Sequence, residues 1–175
     1  VPGPLLRVKK SERVRTRLKN GLSQPTSIHW HGVRIANAMD GVAGLTQPAV
    51  MPGGTFDYDF VAPDAGTFWY HPHSHEHTGE QLDRGLYGLL IVDEPTPPAV
   101  DADIAAVIDD WRLESNSQIE PTFGAAVDAI HEGRLGNILT INSVGRAHET
   151  VVRPNSRVRI RLVNVANARV FALRL

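Results

Sequence analysis

Residues 13–19, RVRTRLK, alternate polar and apolar side chains, the period-two pattern of a strand with one buried face. The Asn20-Gly21 pair then marks a turn, and PTSIHWHGVRI (25–35) reads as a second strand. Residues 37–54 hold Asp40-Gly41, Pro48, Pro52 and Gly53-Gly54, a density of breakers that predicts a long loop. Beyond it, FDYDFV (56–61) alternates again, Pro63–Gly66 predicts a turn, and TFWYH (67–71) predicts another strand. A polar, histidine-rich loop follows, and LYGLLIV (86–92) closes the block. Short strands between frequent turn signals suit an antiparallel β-sandwich.

PTPPAV (95–100) packs three prolines into six positions and cannot continue a sheet interior, so it predicts a linker. A second block carries strand patterns at 103–110, 137–142, 156–165 and 168–175, with a short helix or a loop over 122–134. About 75 residues remain after the linker, against about 100 for a complete sandwich domain of the commonest kind. The last of them form an apolar, alternating strand pattern, which would leave an open sheet edge. The expectation is one complete sandwich over residues 1–97 and part of a second over 98–175.

Composition narrows the function. Net charge is −1 with Lys and Arg scattered, so nothing resembles an electrostatic footprint for nucleic acid. No apolar run approaches the roughly 18–20 residues of a membrane span. There is no cysteine, which excludes disulfides, thiolate-bound zinc, iron–sulfur clusters and a thiol nucleophile from these residues. Val1 opens the sequence and no signal peptide is visible, so a removed leader or a late start is expected.

The histidines carry the chemistry. Of eight, six fall into two clusters: His29 and His31 in one, and His71, His73, His75 and His77 in the other. Residues i and i+2 of a strand share a face, so a His-Xaa-His pair presents two imidazoles about 6–7 Å apart at the backbone. Neutral imidazole is a good ligand for copper, zinc, iron and nickel. In His29-Trp30-His31-Gly32, Trp30 faces the other way and can pack in the core, while Gly32 leaves room for a close approach. Pro72 lacks an amide hydrogen, so the second strand is expected to leave its ladder there. Surface or turn roles suit His131 and His148, which stand alone; His77 reads as solvated and His75 stays undecided.

At this point whole segments, TSIHWHG, MDGVAGLTQPAVMPGGTFDYDF, AGTFWYHPHSH and RGLYGLLIV, in this order, resemble the first domain of laccase-like multicopper oxidases. HPHSHEHTGEQ is most similar to bacterial members of the copper-efflux-oxidase kind, and the later block looks like the opening of the family's second domain. The resemblance implies an all-β, cupredoxin-like Greek-key β-sandwich. It implies an oxidase that takes single electrons at a type 1 copper and passes four to a trinuclear cluster, where O₂ becomes water. Reducing substrates would be phenols, aromatic amines or metal ions, and the location periplasmic or secreted. Carried over by motif, His29 would bind the type 2 copper, His31 and His71 one type 3 copper, and His73 the other. His73 with His75 is the alternative register. Asp40 would be the acid near the cluster, steering protons; it equally suits a turn-stabilising role before Gly41. Asp64, Glu76, Glu80 or backbone carbonyls are candidates to orient the ring nitrogens that do not bind metal.

Two departures matter. The family's cluster uses eight histidines and its type 1 site a Cys-His pair, whereas these residues offer four histidines and no cysteine. C-terminal domains or a second chain would have to complete the sites. Three rivals remain. A cupin-like mononuclear metal protein would use His73, His75, Glu80 and Gly85, but leaves HWHG unexplained. A copper-free interaction module has no reason to keep both His-Xaa-His pairs. A two-domain laccase or nitrite reductase type lies within the same broad class.

Overall fold

The computed structural model describes residues 2–130, 132–145 and 149–174. His131 and His148 therefore lie outside the described residues. The chain divides into two compact units, Val1–Pro97 and Pro98–Leu175.

In the first unit the strands are β1 (Leu6–Lys9), β2 (Arg13–Lys19), β3 (His29–His31), β4 (Thr55–Val61), β5 (Gly66–His71) and β6 (Gly88–Asp93), with α1 (Thr78–Asp83) between the last two. One sheet runs in the order β1-β6-β5-β3, and β2 pairs with β4 in a second. The alternation in β2 turns Val14 and Leu18 inward, while Arg13 and Arg17 face Asp59 and Asp57 on the exposed side. Between the sheets lies a core built on Trp30, Tyr58, Phe60, Leu90 and Val92. Trp30 meets Phe60, Tyr58 and Tyr70 at 5.0, 5.6 and 5.7 Å between rings. Burying aromatic rings of this size supplies much of the apolar area that holds a small sandwich together.

The second unit has β7 (Ala102–Trp111) at the centre of a sheet ordered β8-β7-β9, flanked by β8 (Ile138–Ile141) and β9 (Val158–Asn164). A short α2 (Ala126–Ile130) occupies the region read as helix or loop. Buried Asp110 near the end of β7 accepts from Arg169 Nε at 2.7 Å, so its charge is paired where solvent does not reach it.

Several local expectations give way to tertiary effects. The strand over 25–35 shrinks to three residues, because Gly32 takes φ +80° and turns the chain out of the ladder. β1 escapes the sequence pattern; it is four residues long and pairs in parallel with β6, so the sheet is mixed rather than wholly antiparallel. β9 likewise runs parallel to β7. The histidine-rich loop contains a helical turn at His75–His77 that leads into α1. Residues 168–174 form no strand; Val170, Phe171, Ala172 and Leu173 are an apolar run, but none of these residues joins a ladder.

Candidate metal centre

β3 and β5 pair antiparallel with His29 opposite His71 and His31 opposite Trp69. Directly opposed residues share a face, as do residues two apart, so three imidazoles and one indole stand on one side of this strand pair. Trp30 and Tyr70 stand on the other, where Trp30 is 1% exposed. The back face is thus clamped in the core while the front face holds the chemistry. His73 follows beyond the end of β5, where buried Pro72 ends the ladder, and its carbonyl accepts from Ala43 N at 3.1 Å.

The four rings converge. His29 lies 5.6, 5.3 and 5.4 Å from the rings of His31, His71 and His73, and His31 lies 5.5 Å from His71. Among the described residues, ligand atoms of His29, His31 and His71 all come within 4.8 Å of one another. His73 sits beside this trio, 6.1 Å from His71 by ring centre. His75 is exposed and stands 6.0 Å from His73, outside the convergent group.

Backbone carbonyls orient two of the rings. His29 Nδ1 donates to the Asp40 carbonyl at 2.7 Å, and His71 Nδ1 to the Pro72 carbonyl at 2.8 Å, which turns Nε2 of each ring away from its carbonyl partner, that of His71 toward His31 Nδ1. The Asp40 carboxylate is close too, with Oδ1 3.5 Å from His29 Nδ1. Gly41 makes this approach possible: at φ +82°, a Cβ there would collide with the Ile28 carbonyl. The acids that sequence reasoning offered as orienting partners are engaged or turned away. Asp64 pairs with Arg34 at 3.0 Å, Glu80 with Arg84 at 2.8 Å, and Glu76 is exposed. His77 is half-buried rather than solvated, near enough to Glu80 to help hold that carboxylate low.

Electrostatics favour the neutral form of His31, His71 and His73. Burial, reinforced by the neighbouring histidines, lowers His71 to about 4. His31 and His73 are lowered for the same reasons, although His31, taken as a whole residue, is exposed. Neutral imidazole is the form that binds a metal. His31 Nδ1 and His71 Nε2 stand 3.3 Å apart. Two nitrogens each about 2.0–2.1 Å from one ion at a tetrahedral angle have about that separation. His73 Nδ1 is buried and has no hydrogen-bond partner among the described residues.

The family model for multicopper oxidases matches residues 1–97, more than half of the chain. The chain belongs to the multicopper oxidase family. Multicopper oxidase MmcO of Mycobacterium tuberculosis is 40% identical over 132 residues, covering 73% of this chain and 25% of the relative. Laccase-1 of Botryotinia fuckeliana is 34% identical over 171 residues, covering 95% of this chain and 30% of the laccase. The crystal structure of Lac15 from a marine microbial metagenome superposes with a TM-score of 0.77 at 48% identity, over 96% of this chain and 41% of that one. The chain thus spans about a quarter to two-fifths of these multicopper oxidases, and its fold is their cupredoxin-like β-sandwich. The family's metal is copper, which an all-imidazole donor set fits.

Proposed function

We propose that this chain supplies four of the histidines of a trinuclear copper cluster in an oxidase. That oxidase couples one-electron oxidation of phenolic, aromatic-amine or metal-ion substrates to four-electron reduction of O₂ to water. The observation that carries the reading is the convergence of His29, His31, His71 and His73 at two paired strands, with carbonyls orienting His29 and His71 and burial favouring the neutral form of His31, His71 and His73. His29 would hold the type 2 copper, His31 and His71 one type 3 copper, and His73 the other. Bound copper supplies one-electron redox steps and an electrophilic site for O₂.

The protein's own groups do the rest. Donation from His29 Nδ1 to the Asp40 carbonyl fixes which nitrogen points into the site, and Pro72 does the same for His71. The Asp40 carboxylate beside His29 would hold and pass protons as oxygen is reduced. Further polypeptide, either C-terminal domains or a second chain, would bring the remaining cluster ligands and the electron-entry copper. A periplasmic or secreted location accords with relatives named laccase and copper resistance protein A. No helix among the described residues is long and apolar enough to cross a membrane.

Metal analysis with anomalous scattering on the whole assembly tests this. Three clustered coppers and one distant are expected; a lone iron or manganese would overturn it in favour of a cupin-like site. Asp40→Asn should keep the copper content, since the carbonyl that aims His29 remains. Turnover of the whole oxidase should fall by about 10²-fold, the ordinary contribution of a placed proton donor. Unchanged turnover would return Asp40 to a purely structural role.

A further inference from the structure

A metal-binding histidine needs something to hold its ring, and such partners are worth about 10–100-fold in metal affinity. His29 and His71 have carbonyls for this. His31 has no carbonyl partner among the described residues; its Nδ1 hydrogen-bonds His71 Nε2 at 3.3 Å, a contact that a shared metal ion would replace. Its other neighbour is Trp69. The β3–β5 register puts Trp69 directly across from His31 and two residues before His71, on the same face as both. The indole lies 5.1 Å from the His31 ring at 34° and 4.3 Å from the His71 ring at 30°. Both are close, tilted stacks of the kind aromatic pairs favour. One indole therefore borders both rings of the pair.

We propose that Trp69 is a positioning residue that holds the His31 ring where no backbone carbonyl does. It fixes the plane of the His31 ring against the His71 ring, so that two nitrogens meet at one point before any metal arrives. The need is clear at His31. This side chain is exposed and lies on a three-residue strand, just before Gly32 turns the chain away. Without a wall beside it, the imidazole is free to swing among its staggered rotamers, and the broad χ2 torsion of histidine adds further freedom. A rigid indole removes that freedom at little entropic cost to itself, because Trp69 is half-buried and lies on a strand paired on both sides, by β3 and β6. Affinity gained this way comes from preorganisation and needs no new bond to the ion.

The inference rests on the copper reading for its consequence and on the metal-free chain for its geometry, and the two are tested separately. In the metal-free chain, NMR side-chain couplings should show His31 in one rotamer. In Trp69→Leu, His31 should average among rotamers while His29 and His71 stay fixed by their carbonyls. A single His31 rotamer in the folded Leu variant overturns the proposal, whether or not copper binds. Cu(I) affinity, measured by competition with a chromogenic chelator, should fall about tenfold in Trp69→Leu. Trp69→Phe, which keeps a stacking ring, should restore it to within about threefold. In a His31→Ala background the Leu substitution should cost almost nothing further. An equal loss in both backgrounds would show general structural support instead, and so overturn the role. Should Leu unfold the chain, the Phe variant decides: a folded Phe variant with a freely averaging His31 refutes the stack as the cause.

Discussion

At the scale of single residues, the site is a balance between burial and ligand chemistry. The unfolded chain protonates His71 near its ordinary value of 6.5, whereas burial and neighbouring imidazoles hold the folded group at about 4. Between those values the unfolded state binds the extra proton. Stability of the metal-free chain should therefore be full above about pH 6.5, fall as pH drops toward 4, and level off below; by linkage this one group contributes on the order of 3 kcal/mol. Denaturant midpoints at pH 7 and pH 4.5 check it, and His71→Asn should flatten the difference. The register of the second cluster is also a residue question. His73 stands 5.4 Å from His29, while His75 is exposed beyond it. His73→Ala should weaken copper binding at least tenfold and His75→Ala less than threefold, as read by titration; the reverse order would move the ligand assignment one step along the chain. Sequence alone left this pair open, since His-Pro-His and His-Ser-His have the same spacing. It also missed Trp69, which reads equally well as a core aromatic until the strand register places it opposite His31.

Among the elements, the site depends on how a loop crosses a short strand. β3 has three residues and little ladder of its own, and it is anchored through buried Trp30 on its back face. The loop carrying Asp40 lies against it at Gly41, where no side chain fits and the backbone is left-handed. Gly41→Ala should lift this loop away, destabilise the first unit by about 2–4 kcal/mol, and free His29 from its carbonyl partner. Urea unfolding measures the first effect and the His29 ring-nitrogen shifts the second; a neutral result would show that the loop can yield. Strands β2 and β4 were legible from alternation, whereas β5 and β6 were legible from aromatic and apolar runs bounded by turn residues. β1 was not, because four residues provide too few positions for a period to emerge. The turn and helix at 75–83 were hidden behind a polar composition that reads as loop.

For the whole molecule, the proposed cluster asks for ligands beyond these residues. The chain spans 25–41% of the multicopper oxidases with which it was matched above. Without a cysteine it has no thiolate for a blue copper. Copper-loaded, these 175 residues should show no intense thiolate-to-copper absorption and no oxidase turnover, whereas the full assembly should show both. Optical spectra of the two preparations decide the matter, and a blue chain would overturn the division of labour. What the amino-acid order determined alone was chemical identity: two His-Xaa-His pairs, aromatic neighbours, a strand-rich pattern and the missing thiol are all local facts. What only the tertiary structure decided was convergence. Which ring nitrogen is free, which carbonyl orients it, and which aromatic stands beside it depend on pairing strands some forty residues apart. That pairing follows from burying Trp30 and its partners in one core, a global packing result that no window of sequence contains.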